Sequence, residues 1–247
     1  MSEPDFLPGV AVDRVISALR AAGGKEIESG KFANPESSAA LAVNAFGWFL
    51  ERPELLPPFP GLENIDWPAE SVEVERCLRF PWSGGRHPWL DAVVETASHL
   101  IGVESKRFEP YRDRKLVSLS SACDRPVWGD GMGPYEKLRD DLRTGERRYE
   151  FLDAAQLLKH AFGLVTQGRL LGKQPVLLYL FAEPAERGGR TISEQIFQNH
   201  RAEIADFANR VAGATVRFAA CSYGEWLARF VGEAACHGEA VRIRFAP

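Results

Sequence analysis

Asp91, then twelve residues, then Glu104-Ser105-Lys106 sets two carboxylates and an amine at a spacing that brings them together only if the chain doubles back between them. Carboxylates at cross-strand distance repel each other and lose hydration against apolar neighbours, and a hard divalent cation relieves both costs. Mg2+ takes one or two carboxylates and keeps several waters. Asp91 and Glu104 with a backbone carbonyl would therefore leave positions for water and a phosphate oxygen. Lys106 beside that ion would orient the attacking water or neutralise charge on the phosphorane, and a nearby cation would favour its neutral form.

The elements that must position these groups are short strands. Residues 88–95 and 100–106 are both rich in Val and Ile, bounded by Pro88 and Pro110, and read as the arms of a hairpin. Side chains alternate along a strand, so Glu104 and Lys106 share one face and Val103 and Ser105 the other. A loop at Ala97-Ser98 sets Asp91 directly opposite Glu104.

At these residues the chain resembles the PD-(D/E)XK nuclease superfamily, with its restriction-endonuclease-like fold. The resemblance extends over most of the chain. It takes in a helix before the site at 36–47, the hairpin, and a later helix containing Gln156. The proline of the motif is replaced by Leu90, with Pro88 two places earlier. The resemblance implies an α/β fold, a central mixed sheet flanked by helices in the order αβββαβαβ, and a Mg2+-dependent nuclease hydrolysing DNA, with Mn2+ as a substitute ion. Asp91, Glu104 and Lys106 would be its catalytic residues, and Asp91 and Glu104 its metal ligands. Relatives bring an acidic residue from the first helix and a glutamine from the later one to the site, which here would be Glu36 and Gln156. For Glu36 the other reading is a partner for the helix dipole. For Gln156 it is a solvated helix position.

The rest of the chain is read in order. Residues 10–22 repeat apolar side chains at helical spacing and stop at Gly23-Gly24. Asn34-Pro35 has the form of a cap followed by the first helical residue, opening a helix that runs to about Leu50. Pro53 to Pro60 contains four prolines and is a connecting loop. Residues 71–80 alternate as the first core strand, with Glu73 and Glu75 on its polar face; either would aid a metal site, or both line an exposed face. Glu36, Glu73 or Glu75 is expected to complete the acidic pocket, with Gln156 at its rim.

Residues 112–150 read as an insertion suited to substrate contacts. Within it the glycine-rich 128–134 lacks the GK[ST] ending of a phosphate-binding loop. Asp153 caps an amphipathic helix over 153–171. The nearly continuous apolar run 174–181 is a central strand covered on both faces. A helix at 193–212, a strand at 215–221, a short helix at 224–227 and an edge strand at 241–245 complete the order.

At 247 residues and 45 % hydrophobic content the chain has ample material for one domain spanning 1–247. The start, Met1-Ser2-Glu3-Pro4-Asp5, has neither a basic region nor a signal-like apolar core, and no run is long enough to span a membrane, so a cytoplasmic protein is expected. The four cysteines and five histidines are scattered without zinc-ligand spacing. A net charge of −4 argues against indiscriminate coating of nucleic acid. The charge is uneven, however: residues 106–148 carry 11 basic against 8 acidic side chains, compatible with a locally basic cleft or with a mixed solvated surface. The alternative to an enzyme is a nucleic-acid-binding or structural module of the same architecture in which Glu104 forms only a half-buried salt bridge with Lys106 or a neighbouring Arg.

Overall fold

The computed structural model describes residues 6–23, 30, 32–113 and 115–247. Met1–Asp5 and Gly24 of the breaker pair lie outside them. In chain order the elements are α1 (Val12–Ala21), α2 (Ser38–Gly47), β1 (Ser71–Cys77), β2 (Trp89–Glu95), β3 (His99–Lys106), α3 (Glu109–Arg112), α4 (Gly133–Thr144) and α5 (Ala154–Leu171). Then come β4 (Gln174–Phe181), β5 (Glu186–Arg187), β6 (Arg190–Thr191), α6 (Glu194–Arg210), β7 (Arg217–Ser222), α7 (Tyr223–Leu227) and α8 (Ala234–Phe245).

Five strands form one sheet in the order β1-β2-β3-β4-β7. The first three are an antiparallel meander, and β3, β4 and β7 run parallel, joined through α5 and α6. Strand period separates the two faces. Val72, Val74, Val94, Ile101, Val103 and Val176 pack toward α1, α2, α7 and α8, while Val93, Leu100, Leu177 and Tyr179 pack toward α4, α5 and α6. This is the mixed α/β sheet expected from the sequence, and β4 is covered on both faces from Pro175 onward. No helix among the described residues is long and apolar enough to cross a membrane.

Helix α5 lies close on the sheet because a glycine lets it. A Cβ on Gly102 of β3 would fall 2.3 Å from Leu90 Cδ1 and 2.8 Å from Leu164 Cδ2 of α5. Gly102→Ala is therefore expected to lower stability by about 1–3 kcal/mol, the cost of overpacking a filled core. Urea denaturation reads this directly. An unchanged midpoint would mean that the helix can lift off without cost.

Three expectations need correction. The helix expected from Asn34-Pro35 starts at Ser38, because Ser37 is the cap, its hydroxyl accepting from Ala40 N at 3.1 Å. Asn34 instead closes a turn, its side chain accepting from Glu36 N at 2.9 Å. Residues 241–245 are not an edge strand but the last turn of α8, in which Val241 and Phe245 are buried four residues apart and Ile243 is 75 % exposed. The stretch 112–150 is not one long loop, since α4 occupies its second half between Pro134 in the first turn and Gly145 in a left-handed conformation at the end.

Candidate active site

The site lies where two strands part. The β2–β3 ladder runs from Glu95 opposite Leu100 to Ala92 opposite Val103 and stops there. Strand β3 goes on pairing with β4 as far as Lys106 opposite Phe181. The backbone N–H of Ser105, released from β2, donates instead to Asp91 Oδ2 at 2.6 Å. The hairpin turn at Ala97-Ser98 sets a register that, extended one pair beyond Ala92–Val103, points Asp91 toward Glu104. On the other side, the β1–β2 ladder holds its register through Val74–Ala92 and Arg76–Leu90 but omits Glu75, the residue facing Asp91. Glu75 sits at φ 52°, left-handed and out of the pleat. The strand is therefore deformed directly beside Asp91.

Glu104 is buried, at 2 % exposure. Its Oε1 is ion-paired with the Lys106 ammonium, and its Oε2 lies 3.1 Å from Nδ1 of His160, near enough for charge to act but out of line for a hydrogen bond. Burial alone would raise the Glu104 carboxyl. Lys106 and then His160 outweigh it and hold the group down at about 2. Asp91 has no such partner. Burial, reinforced by the charge of Glu104 and more weakly of Glu75, pushes its carboxyl well up, and Lys106 and the Ser105 N–H only partly offset this. Burial also disfavours the Lys106 ammonium, yet Glu104 and Asp91 together raise it above the ordinary lysine value. The sequence expects a neighbouring cation to favour neutral Lys106; in the folded chain two carboxylates act on it and hold the charge.

Around this centre the chain is tied down by groups that sequence patterning does not single out. Ser105 Oγ is hydrogen-bonded to Tyr223 OH at 2.7 Å, which fixes the back of β3 to the start of α7. Glu109 accepts from Ser38 Oγ at the start of α2 and from Arg107 N, the latter at 2.9 Å. The Arg107 guanidinium donates to the carbonyls of Pro35 and Phe245. These contacts hold the N-terminal loop, α2 and the end of α8 against the outgoing end of β3.

The auxiliary residues separate. Glu75 is at the site by position and by its effect on Asp91. Glu36 is outside α2 and spans two cations, accepting from Arg112 Nη1 at 3.1 Å and Arg187 Nε at 2.9 Å. Glu73 is half-exposed and paired with Arg76 at 3.0 Å. Gln156 occupies the first turn of α5, capped by Asp153, and precedes His160 by four residues on the same helix face. His160 is the residue that reaches Glu104. The signal for it was available, since a helix that brings Gln156 toward the site brings residue 160 there too.

Among the described residues no cluster of three or more His, Cys, Asp or Glu is arranged to cage an ion. The donor set of Asp91 and Glu104 nevertheless fits a hard divalent cation in the water-rich, two-carboxylate mode of Mg2+, because the burial and repulsion that oppose ionised Asp91 are costs that such an ion would relieve. The glycine-rich 128–134 segment does other work: Trp128 is buried and stacks on Phe162 of α5 at 4.4 Å, and the Gly131 carbonyl accepts from Thr215 N at 2.8 Å.

A family model described as Restriction Endonuclease associating with ARP matches residues 4–235. No curated protein and no solved structure matches the chain.

Proposed function

This chain belongs to the family of restriction endonucleases associating with ARP, and from that premise we propose that it is a divalent-metal-dependent nuclease hydrolysing phosphodiester bonds of DNA. The observation that supports the reading is the fork between β2 and β3, where the ladder ends at Ala92–Val103, the Ser105 N–H turns to Asp91, and Lys106 is ion-paired with Glu104 two residues before it. By the same reading the chain associates with ARP, as its family is described.

In this reading Asp91 and Glu104 hold the ion, Mg2+ with Mn2+ as a substitute, and Glu75 adds negative charge behind Asp91. The bound ion would lower the pKa of its water and offset charge on the phosphate. The Ser105 N–H keeps Asp91 turned into the fork. Lys106, ion-paired with Glu104 on the same face, would have its ammonium near enough to the reacting phosphate to orient the nucleophile and stabilise the anionic transition state. His160 retains a hold on the second oxygen of Glu104 and so acts as a positioning residue.

One observation favours a second reading, an inactive module of the same fold: both oxygens of Glu104 already face a partner within the protein. Thermal unfolding with and without metal separates the two. On a site of millimolar Kd, about 10 mM Mg2+ contributes about 1.4 kcal/mol, which for a chain of this size is a Tm rise of roughly 3–6 °C. The nuclease reading expects that rise, larger with Mn2+, together with cleavage of DNA. A Tm indifferent to both ions would favour the salt-bridge module.

A further inference from the structure

A cleft of about 990 Å³ opens beside the site, between α3 with the loop that follows it, the end of α4, and the entry to α5. Its acidic side chains are mostly consumed inside the protein. Asp113 is paired with Arg112 at 2.7 Å, and Asp153 caps α5. Glu203 accepts from the backbone N–H groups of Glu150, Phe151 and Leu152 at 2.7, 2.8 and 2.9 Å. Among the described residues of the lining, Glu150 is an exposed acid without an ion-pair partner, and Asp113 is exposed but paired with Arg112.

Two of its cations are not consumed. Among the described residues neither Lys115 nor Arg148 is in an ion pair. Arg148 is exposed, and the Lys115 ammonium donates only to the carbonyl of Glu109. Lys115 is half-buried, and burial holds its ammonium below the ordinary lysine value, with Asp153, Asp113 and Glu109 opposing this in part and Lys106 adding to it. A partly desolvated ammonium is stabilised by an added anion beside it. Phe151, also half-buried on the lining, has no ring partner among the described residues, whereas the rings of Tyr111 and Tyr149 pack on Phe197 and Phe207. Cations and a half-buried aromatic ring on one lining suit a strand whose bases are unstacked, since a duplex keeps its base faces covered. The volume is that of a small-ligand cleft, enough for a few nucleotides and too small to admit a double helix.

We propose that this cleft holds an unpaired DNA strand leading into the site, with a base stacked on Phe151 and neighbouring phosphates held by Arg148 and Lys115. The inference rests on the nuclease reading for the identity of its ligand, and it adds that the preferred substrate is single-stranded or carries a single-stranded segment.

The test is anisotropy of a fluorescent single-stranded DNA oligonucleotide, and of the same sequence as a hairpin duplex, with the full-length protein in chelator so that nothing is cut. The wild type is expected to prefer the single strand. Phe151→Ala should weaken that binding roughly 5- to 100-fold, the range of one base–aromatic stack, while Phe151→Tyr retains it. Arg148→Gln, at an exposed position, should reduce the slope of log K against log salt by about 0.7, the loss of one phosphate contact on a single strand. Wild-type affinity and slope in Phe151→Ala and Arg148→Gln, or tighter binding of the duplex, would overturn the proposal. Binding without any cleavage once metal is added would retire the nuclease reading and leave the cleft standing; cleavage by a protein whose single-strand affinity ignores both substitutions would do the reverse.

Discussion

Lys106→Ala is expected to lose DNA cleavage by about 10²–10⁴-fold while still titrating with Mg2+, whereas Asp91→Ala should lose cleavage and metal binding together. The difference follows from the unequal places of the two groups. In the proposed site Asp91 is one of two carboxylates that would hold the ion, so removing it would take away half of the charged ligands assigned. Lys106 is ion-paired with Glu104 and would compete with an ion for that carboxylate. Its removal would abolish the group proposed to orient and stabilise the reacting phosphate, an effect in the range of general acid–base or electrostatic catalysis, yet leave the metal affinity intact or somewhat stronger. Stability adds a second readout. Without Lys106 the buried Glu104 keeps only His160 near it, and breaking a buried ion pair from one side costs about 3–5 kcal/mol. The Lys106→Ala protein should accordingly be unstable in chelator and recover a large part of the loss in Mg2+. Isothermal titration, thermal unfolding and a cleavage assay on the same preparations would show this. Equal loss of metal affinity in both variants, or full cleavage by Lys106→Ala, would show the assigned roles to be wrong.

The centre of the fold was legible because its signals are local. A two-residue loop sets the hairpin register, and that register extended one pair past Ala92–Val103 points Asp91 toward Glu104. The run 174–181 is too uniformly apolar to be anything but a doubly covered strand, and Asp153 announces α5. The misread segments are those where a short pattern supports two periods. Val241-Arg242-Ile243-Arg244-Phe245 alternates over five residues, but Ala234, His237, Gly238, Val241 and Phe245 are the buried set, spaced by three and four. Around Asn34 and Ser37 two cap-type residues compete, and Pro35 fits a turn as well as a helix start. In α4 the density of glycine and proline at 129–134 hid a helix that they in fact begin. The contact of Ser105 with Tyr223 joins residues far apart in sequence, and no spacing rule reports it.

Acid should weaken this protein from about pH 6.5 downward, and His200 is expected to be a principal cause. His200 is fully buried, its Nε2 hydrogen-bonded to Tyr179 OH at 3.0 Å beneath the sheet face that carries Glu104. Burial, with Lys115 and Arg201 adding like charge, pulls its pKa down to about 3. Folded His200 thus stays neutral over a range in which the unfolded chain, titrating near 6.5, takes up a proton. The unfolded state binds more protons there, so stability falls as pH falls, approaching about 1.4 kcal/mol per pH unit for one such group well below its unfolded pKa. The carboxylates held low in the fold, such as Glu104 at about 2, begin to contribute in the same direction only as pH drops through about 4.5. Asp91, raised, contributes with the opposite sign. Between roughly pH 6 and 4.5 the loss therefore belongs to the buried histidines, His200 and the similarly lowered His237. His200→Gln keeps a hydrogen-bonding group for Tyr179 and cannot charge. Urea denaturation of both proteins at pH 7, 6 and 5 in chelator should show the wild type converging on the variant as pH falls, the gap closing by about 1 kcal/mol or more per unit. Parallel stability profiles would mean that His200 is charged within the fold, and that the tyrosine network beneath the site tolerates a cation.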